Sequence, residues 1–246
     1  MKSMLESYLT LEQTALLAAT LAAQTRASGS LEAPLVARTL AERDCRNVLD
    51  VGTGEGSFLL EVARRAPRAR YLGIDHNRFA IRAALRRLRR HPRRNVRFET
   101  AFFDRTFDRE RRDAVLTRYT LQHGSRPEDF VRTVSARLAR GGTFIAVESV
   151  ESAMGCHVPD ATWEAYGAAL LRVHAAIGSD ADRGKALGSL FRRAGLREVR
   201  VGFVLTSPCT VGVPRFRSLV LSTTALAHRL FPALFPAALA RRMDRW

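Results

Sequence analysis

Residues 48–57 of this 246-residue chain read VLDVGTGEGS, and this stretch decides the fold. A short apolar run that meets three closely spaced glycines predicts a strand that turns sharply into a helix. Glycine has no Cβ, so the backbone of such a turn can approach a ligand closely. The helix after the turn presents free N–H groups in its first turn. At the carboxyl ends of parallel strands, this arrangement forms a nucleotide-binding crevice.

The rest of the chain alternates short apolar runs with helical patterns. Connections between them are short, which favours parallel strands with helices on both faces of the sheet. We therefore predict an α/β fold, with a Rossmann-like, doubly wound and mostly parallel sheet. The predicted strands cover residues 47–51, 70–74, 96–100, 114–117, 143–148 and 198–206.

Four segments are predicted along the chain. Residues 1–30 form a helical N-terminal lid, and residues 31–150 form the nucleotide-binding core. Residues 151–178 are helical and form a cap inserted after the fifth strand. Residues 179–246 complete the core with a late strand and continue as a helical C-terminal segment.

The spacing of the glycine turn distinguishes two classes of nucleotide site. A dinucleotide fingerprint reads G-x-G-x-x-G, whereas here the third glycine comes one position early and Ser57 takes its place. The acidic residue Asp50 precedes Gly52 by two positions. This pattern resembles the first motif of class I S-adenosylmethionine-dependent methyltransferases. Asp75 ends the second strand 23 residues after Gly52, where a carboxylate accepts the hydroxyls of a ribose in related folds.

Further resemblance to this family extends over about residues 31–206. Residues 113–123 resemble its fourth strand with the loop that follows, and residues 138–144 resemble its double-glycine turn before the fifth strand. The resemblance implies S-adenosyl-L-methionine as cofactor and S-adenosyl-L-homocysteine as product. The residues it implies for cofactor binding are Asp50, Gly52, Thr53, Gly54, Asp75, His76, Phe102, Phe103 and Arg118.

The chain departs from the family after the third strand. Members often carry an aspartate there that contacts the adenine amino group, but Phe102 takes this position and Asp104 lies two residues later. Packing by Phe102 and Phe103 is the predicted replacement. The alternative is that both phenylalanines belong to the hydrophobic core.

Methyl transfer is an in-line displacement whose leaving group needs no proton, so the enzyme mainly aligns two reactants in a dry pocket. A base is needed only when the acceptor must lose a proton. His123 follows the fourth strand and is the first candidate base, because imidazole titrates near neutrality. Tyr119 is the predicted orienting group or alternative base. The other interpretation of His123 is a packing or capping role beside the helix that begins near Pro127.

The acceptor is predicted to be a small, largely apolar or aromatic metabolite of the natural-product type. Methylation of carbon, nitrogen or oxygen stays open. Residues 118–123 resemble those of enzymes that methylate an indole carbon of an alkaloid precursor. The predicted acceptor-binding residues are Tyr8, Glu12, Gln122, Glu148, Trp163 and Tyr166.

Composition limits the remaining function classes. The chain has 40 Lys+Arg and 24 Asp+Glu, for a formal net charge of +16, which invites a nucleic-acid partner. However, Lys2 and Lys185 are its only lysines, and this bias is typical of a GC-rich genome rather than of nucleic-acid binding. Three cysteines disfavour a disulfide scaffold and favour a reducing compartment.

We therefore expect a cytoplasmic enzyme with a small-molecule acceptor, no metal and no membrane segment; a homodimer is compatible with the sequence. Two alternatives stay open. The first is an RNA or DNA methyltransferase, motivated by the charge. The second is a non-catalytic protein that binds the cofactor on the same fold.

Overall fold

The computed structural model describes residues 11–246, and its centre is a single five-stranded sheet. All pairs of strands are parallel, and their order is β3-β2-β1-β4-β5. The first five predicted strands are thus confirmed. The strands are β1 (Asn47–Val51), β2 (Arg70–Asp75), β3 (Val96–Thr100), β4 (Arg112–Arg118) and β5 (Leu138–Val147).

The strand order places the glycine turn at the middle of the sheet. From β1 the chain proceeds outward through β2 to β3, and it then returns to the other side of β1 for β4 and β5. The crevice at such a reversal is where ligands bind in open α/β sheets. The turn after β1 therefore lies between the carboxyl ends of β2 and β4.

Ten α-helices and two short 3₁₀-helices cover this sheet and extend beyond it in the described residues. The 3₁₀-helices are Leu121–His123 and Glu151–Ala153. The α-helices are α1 (Leu11–Arg26), α2 (Ser28–Glu42), α3 (Ser57–Arg65), α4 (Arg78–Arg90), α5 (Pro127–Arg137), α6 (Ala161–Ala176), α7 (Arg183–Arg193), α8 (Pro208–Val211), α9 (Val213–Leu230) and α10 (Ala237–Arg245).

The arginine-rich helix α4 illustrates how the sequence forms these elements. Asn77 caps its N-terminus, because its side-chain oxygen accepts the N–H groups of Phe79 at 2.8 Å and Ala80 at 3.2 Å. Ile81 and Ala84 are buried against the sheet. The arginines of α4 lie mainly on its remaining, solvent-exposed faces.

A third hydrophobic cluster, separate from the two that include residues of the sheet, joins α6 to the C-terminal helices. Trp163 and Tyr166 of α6 are buried in it, and the Trp163 ring stacks on that of Trp246 with centroids 4.8 Å apart. Phe216 of α9 and Phe235, which precedes α10, complete the aromatic part of this cluster. The segment predicted as a cap is therefore fixed to the C-terminal helices.

The predicted strand over residues 198–206 is wrong. No strand forms between residues 179 and 246, so this segment adds helices and no strand to the core. Alternating apolar residues suit a strand, but a strand also needs a neighbour, and in the described structure β5 pairs only with β4. Glu198 instead has a positive φ of 52° and forms an ion pair with Arg43, while Phe203 is 86% exposed.

The aromatic cluster generates a prediction about stability. Phe235→Ala should lower the free energy of unfolding by about 3–5 kcal/mol, because it opens a cavity around a buried ring. Phe203→Ala makes the same change at an exposed ring and should cost under about 0.5 kcal/mol. Urea denaturation measures both. Equal losses in the two variants would contradict the described packing.

Candidate functional site

The glycine turn adopts a backbone that only glycine enters without strain. The φ angles of Gly52, Gly54 and Gly56 are 77°, 58° and 77°. A Cβ on Gly52 would lie 2.4 Å from the Thr120 hydroxyl oxygen, and one on Gly56 would lie 2.6 Å from the Phe98 ring. A Cβ on Gly54 would lie 3.5 Å from the Leu21 Cδ1, an ordinary contact distance, with no other described atom within 4 Å.

Asp75, at the end of β2, connects the glycine turn to the next helix. Its Oδ2 accepts the backbone N–H of Gly54 and its Oδ1 accepts that of Asn77, both at 2.9 Å. His76 lies beside it, with its Nδ1 3.5 Å from Oδ1. One side chain thus binds the glycine turn and the start of the next helix.

Asp50 lies in β1 behind the turn and is buried. Burial, with a smaller contribution from the Asp75 charge, raises the pKa of its carboxyl group to about 7, although the Thr53 side chain and the Arg118 charge lower it. The carboxyl groups of Asp50 and Asp75 therefore lie close enough to interact at this end of the crevice.

Helix α1 crosses the glycine turn. The Leu21 side chain is the atom group nearest to the open side of Gly54, 3.5 Å from the position of a Cβ there. Ser57, which opens α3, donates its hydroxyl to the Thr25 Oγ1 at 2.9 Å. The lid over residues 1–30 stays a prediction, and Tyr8 lies outside the described residues. Glu12 pairs on the surface with Arg229 of α9, at 2.7 Å.

A buried ionic network joins α2 to the end of β4. The Nε of Arg118 donates to the Glu32 Oε2 at 2.6 Å, and its Nη2 donates to the Ser28 hydroxyl at 3.0 Å. The guanidinium also lies over the rings of Phe58 and Tyr119, 4.7 and 4.4 Å from their centroids. Sequence reasoning missed Glu32 and Ser28; their spacing of four residues on one helix face was the only signal.

Tyr119 is held by the same network. Its hydroxyl donates to the Glu32 Oε1 at 3.0 Å, and the residue adopts a positive φ of 52°. Burial and the Glu32 charge raise the pKa of the phenol far above its usual value. The phenol is therefore a hydrogen-bond donor, which fits the orienting role better than that of a base.

The loop after β4 is bound by Glu148, which follows β5. Its carboxylate accepts the backbone N–H groups of three successive residues, Thr120, Leu121 and Gln122. Gln122 is buried, and its side-chain oxygen accepts the Ser149 hydroxyl at 2.9 Å. Glu148 and Gln122, which the sequence predicts as acceptor-binding residues, thus make contacts within the protein.

The remaining predicted residues are distributed between the surface and the core. His123 is exposed on the 3₁₀-helix after β4, and its Nε2 lies 3.3 Å from the Gln122 amide nitrogen. Phe102 is 46% exposed, and its ring stacks on His76 with centroids 5.2 Å apart. Phe103 is partly buried and packs against the rings of Phe107 and Phe130 beside the core.

A cavity of about 400 Å³ opens beside the residues that follow β5. The buried Trp163 contributes to its wall, whereas Tyr166 lies in the aromatic cluster behind it. Among residues 11–246, three carboxylates and no basic side chain line this cavity, although basic residues outnumber acidic ones in the chain. Its lining includes Glu151, Met154, Cys156, Asp160, Trp163, Glu164 and Leu171.

Residues 11–246 carry neither a metal-binding cluster nor a membrane-spanning helix. No group of three or more His, Cys, Asp or Glu side chains in this part of the chain is arranged to hold a metal ion. None of the helices described there is long and apolar enough to cross a membrane.

A methyltransferase-domain family model matches residues 43–194, which is more than half of the chain. The chain belongs to this methyltransferase family. The matched range holds the glycine turn, Asp75, the loop after β4 and Glu148. The family resemblance, the enzyme class and the cofactor expected from the sequence are thereby confirmed.

Solved structures support the fold of this methyltransferase. An O-methyltransferase family protein from Burkholderia thailandensis has a TM-score of 0.57 and 18% identity, over 71% of this chain and 52% of that one. The methyltransferase SibL gives 0.52 and 20%, over 72% and 52%. Mitomycin 7-O-methyltransferase MmcR gives 0.52 and 15%, over 70% and 50%. The matched part thus spans about half the length of these proteins, and no curated protein matches the sequence.

The buried network of this methyltransferase generates a second prediction. Glu32→Gln should lower the free energy of unfolding by about 3 kcal/mol, because it leaves the Arg118 charge buried without a counter-charge. Glu42→Gln removes the same charge from an exposed pair with Arg38 on the same helix and should cost under about 1 kcal/mol. Urea denaturation compares them. A Glu32→Gln variant as stable as Glu42→Gln would refute the network's role.

Proposed function

We propose that this methyltransferase binds S-adenosylmethionine in the crevice between the glycine turn, Asp75 and the loop after β4, and methylates a small-molecule acceptor there. The observation that carries the proposal is the geometry of Asp75 and Gly54. The Asp75 carboxylate binds the Gly54 N–H at the carboxyl end of β2, and the turn keeps a positive φ at Gly54 with no Cβ beside this carboxylate.

Residues along the crevice suit the successive parts of the donor. The Asp75 carboxylate would accept the ribose hydroxyls, and the exposed Phe102 ring on His76 offers an apolar surface for adenine. The Arg118 guanidinium has five N–H donors. Its Nε donates to Glu32 and its Nη2 donates to Ser28. Its remaining donors suit the methionine carboxylate. Asp50, Gly52 and Thr53 complete the proposed donor site.

The donor supplies an electrophilic methyl group on a sulfonium whose thioether leaves without a proton. The protein's own task is to exclude water and to hold the acceptor in line. Helix α1 lies over the turn through Leu21 and Thr25, where it would shield the donor. Because the Tyr119 phenol is bound to Glu32, His123 is the proposed base for an acceptor that must lose a proton.

The cavity after β5 supports a small acceptor. Its volume of about 400 Å³ lies within the usual range for small-molecule sites. Met154, Trp163 and Leu171 give it apolar walls, and Glu151 adds a carboxyl group whose pKa is raised by burial. A compact aromatic or apolar molecule with a polar substituent fits this lining, including the natural-product acceptors proposed from the sequence.

Two substitutions test the donor site. Asp75→Asn should weaken binding of S-adenosylhomocysteine by about 10- to 100-fold, because a charged hydrogen bond contributes about 1.5–3 kcal/mol. Gly54→Val should abolish close approach to the turn. Isothermal titration calorimetry measures both.

Two matched controls separate the loss of a ligand contact from backbone strain and from loss of charge. Gly141 has a similar positive φ, and a Cβ added there would meet no described atom within 4 Å, so Gly141→Val reproduces the backbone strain alone. Asp129→Asn removes an exposed carboxylate. Neither should change affinity. Wild-type affinity in both Asp75→Asn and Gly54→Val would refute the donor site.

The proposed base has its own test. His123→Ala should lower turnover by about 10²–10⁴-fold while affinity for S-adenosylhomocysteine is unchanged. The wild-type rate should rise with pH, since only neutral imidazole accepts a proton, and the variant should lose this ionisation. Mass spectrometry of one added methyl group, over a panel of phenols, amines and indoles, gives the rate. The exposed His91→Ala is the control. Normal turnover in His123→Ala would leave alignment alone as the source of catalysis.

A further inference from the structure

Glu148 makes an unusual set of contacts for a residue at the end of a strand. Its Oε1 accepts the N–H groups of Thr120 at 2.9 Å and Leu121 at 2.8 Å, and its Oε2 accepts that of Gln122 at 3.1 Å. The first N–H groups of a helix have no partner within it. The carboxylate therefore caps the 3₁₀-helix after β4 from outside that segment.

The capped loop touches the donor turn directly. The Thr120 hydroxyl donates to the Val51 carbonyl oxygen at 3.2 Å, and it closes on Gly52 so tightly that a Cβ there would overlap it. Tyr119 lies at one end of the bound backbone and His123 at the other. A shift of this loop would therefore move both predicted catalytic groups relative to the glycine turn.

We propose that Glu148 is a positioning residue for methyl transfer, which holds residues 119–123 in register with the donor turn. This assignment rests on the proposed function of the crevice. It replaces the acceptor-binding role predicted from the sequence, because all three contacts of the carboxylate are to backbone. Glu148 touches neither reactant in this account and acts through the loop.

The negative charge of Glu148 contributes to holding the loop. Protonation would turn one acceptor oxygen into a donor that faces a backbone N–H. Burial raises the pKa of this carboxyl to about 7, against the three N–H groups and Arg183 of α7, which lower it. Arg183 is itself paired with Asp180 at 3.3 Å, and His123 lies on the capped helix. The loop should therefore be held most firmly above neutral pH.

Glu148→Gln tests the assignment, because it keeps the shape and replaces one acceptor oxygen by an N–H donor. We expect the kcat to fall by about 10- to 100-fold, with affinity for S-adenosylhomocysteine within about threefold of wild type. Hydrogen exchange should accelerate at the amides of residues 120–122. Glu148→Asp retains the charge and should recover part of both losses. Glu128→Gln removes an exposed carboxylate from α5 and should change neither.

The pH profile separates positioning from mere support of the fold. The His123→Ala variant should keep a rise of kcat with pH that comes from ionisation of Glu148. This rise should disappear when Glu148→Gln is added. Wild-type kcat and wild-type amide exchange in Glu148→Gln would overturn the assignment, as would an equal loss of kcat and donor affinity. If no acceptor is ever methylated, the proposed function fails. The pH dependence of exchange at amides 120–122 in the wild type still decides whether Glu148 holds the loop.

Discussion

The hydrogen bond between the Gly54 N–H and the Asp75 carboxylate is the constraint on which the site depends. It joins the turn after β1 to the end of β2, and the same carboxylate binds the N–H of Asn77, which caps α4. One acidic side chain thus fixes the glycine turn, the second strand and the next helix relative to one another. It does so at the reversal of strand order, where the sheet leaves an open crevice.

Two further carboxylates hold the opposite wall. Glu32 reaches from α2 to the side chains of Arg118 and Tyr119, while Glu148 reaches from the end of β5 to the backbone of residues 120–122. In a chain with a net charge of +16, both of these acids bind groups at or just after the end of β4. The donor turn and the loop after β4 are thus held by separate carboxylates, those of Asp75 and Glu148.

The sequence was sufficient for features that local patterns determine. The five parallel strands, the turn with Asp50 and Asp75, and the family follow from short runs whose spacing leaves few alternatives. Features that depend on distant partners were missed or misassigned. Glu32 acts only because α2 crosses the end of β4, and Trp163 is buried only because α9 and the C-terminal segment, far along the chain, pack against it. Residues 198–206 have the pattern of a strand but pair with no strand of the described sheet.

The crevice between the glycine turn, Asp75 and the loop after β4 is the proposed donor site. A crystal structure of the complex with S-adenosylhomocysteine would show where the donor binds. We expect ribose hydroxyls within hydrogen-bond distance of the Asp75 carboxylate, backbone of the Gly52–Gly54 turn against the ligand, and adenine beside Phe102. A ligand bound elsewhere, with Asp75 making no contact to it, would refute this donor site.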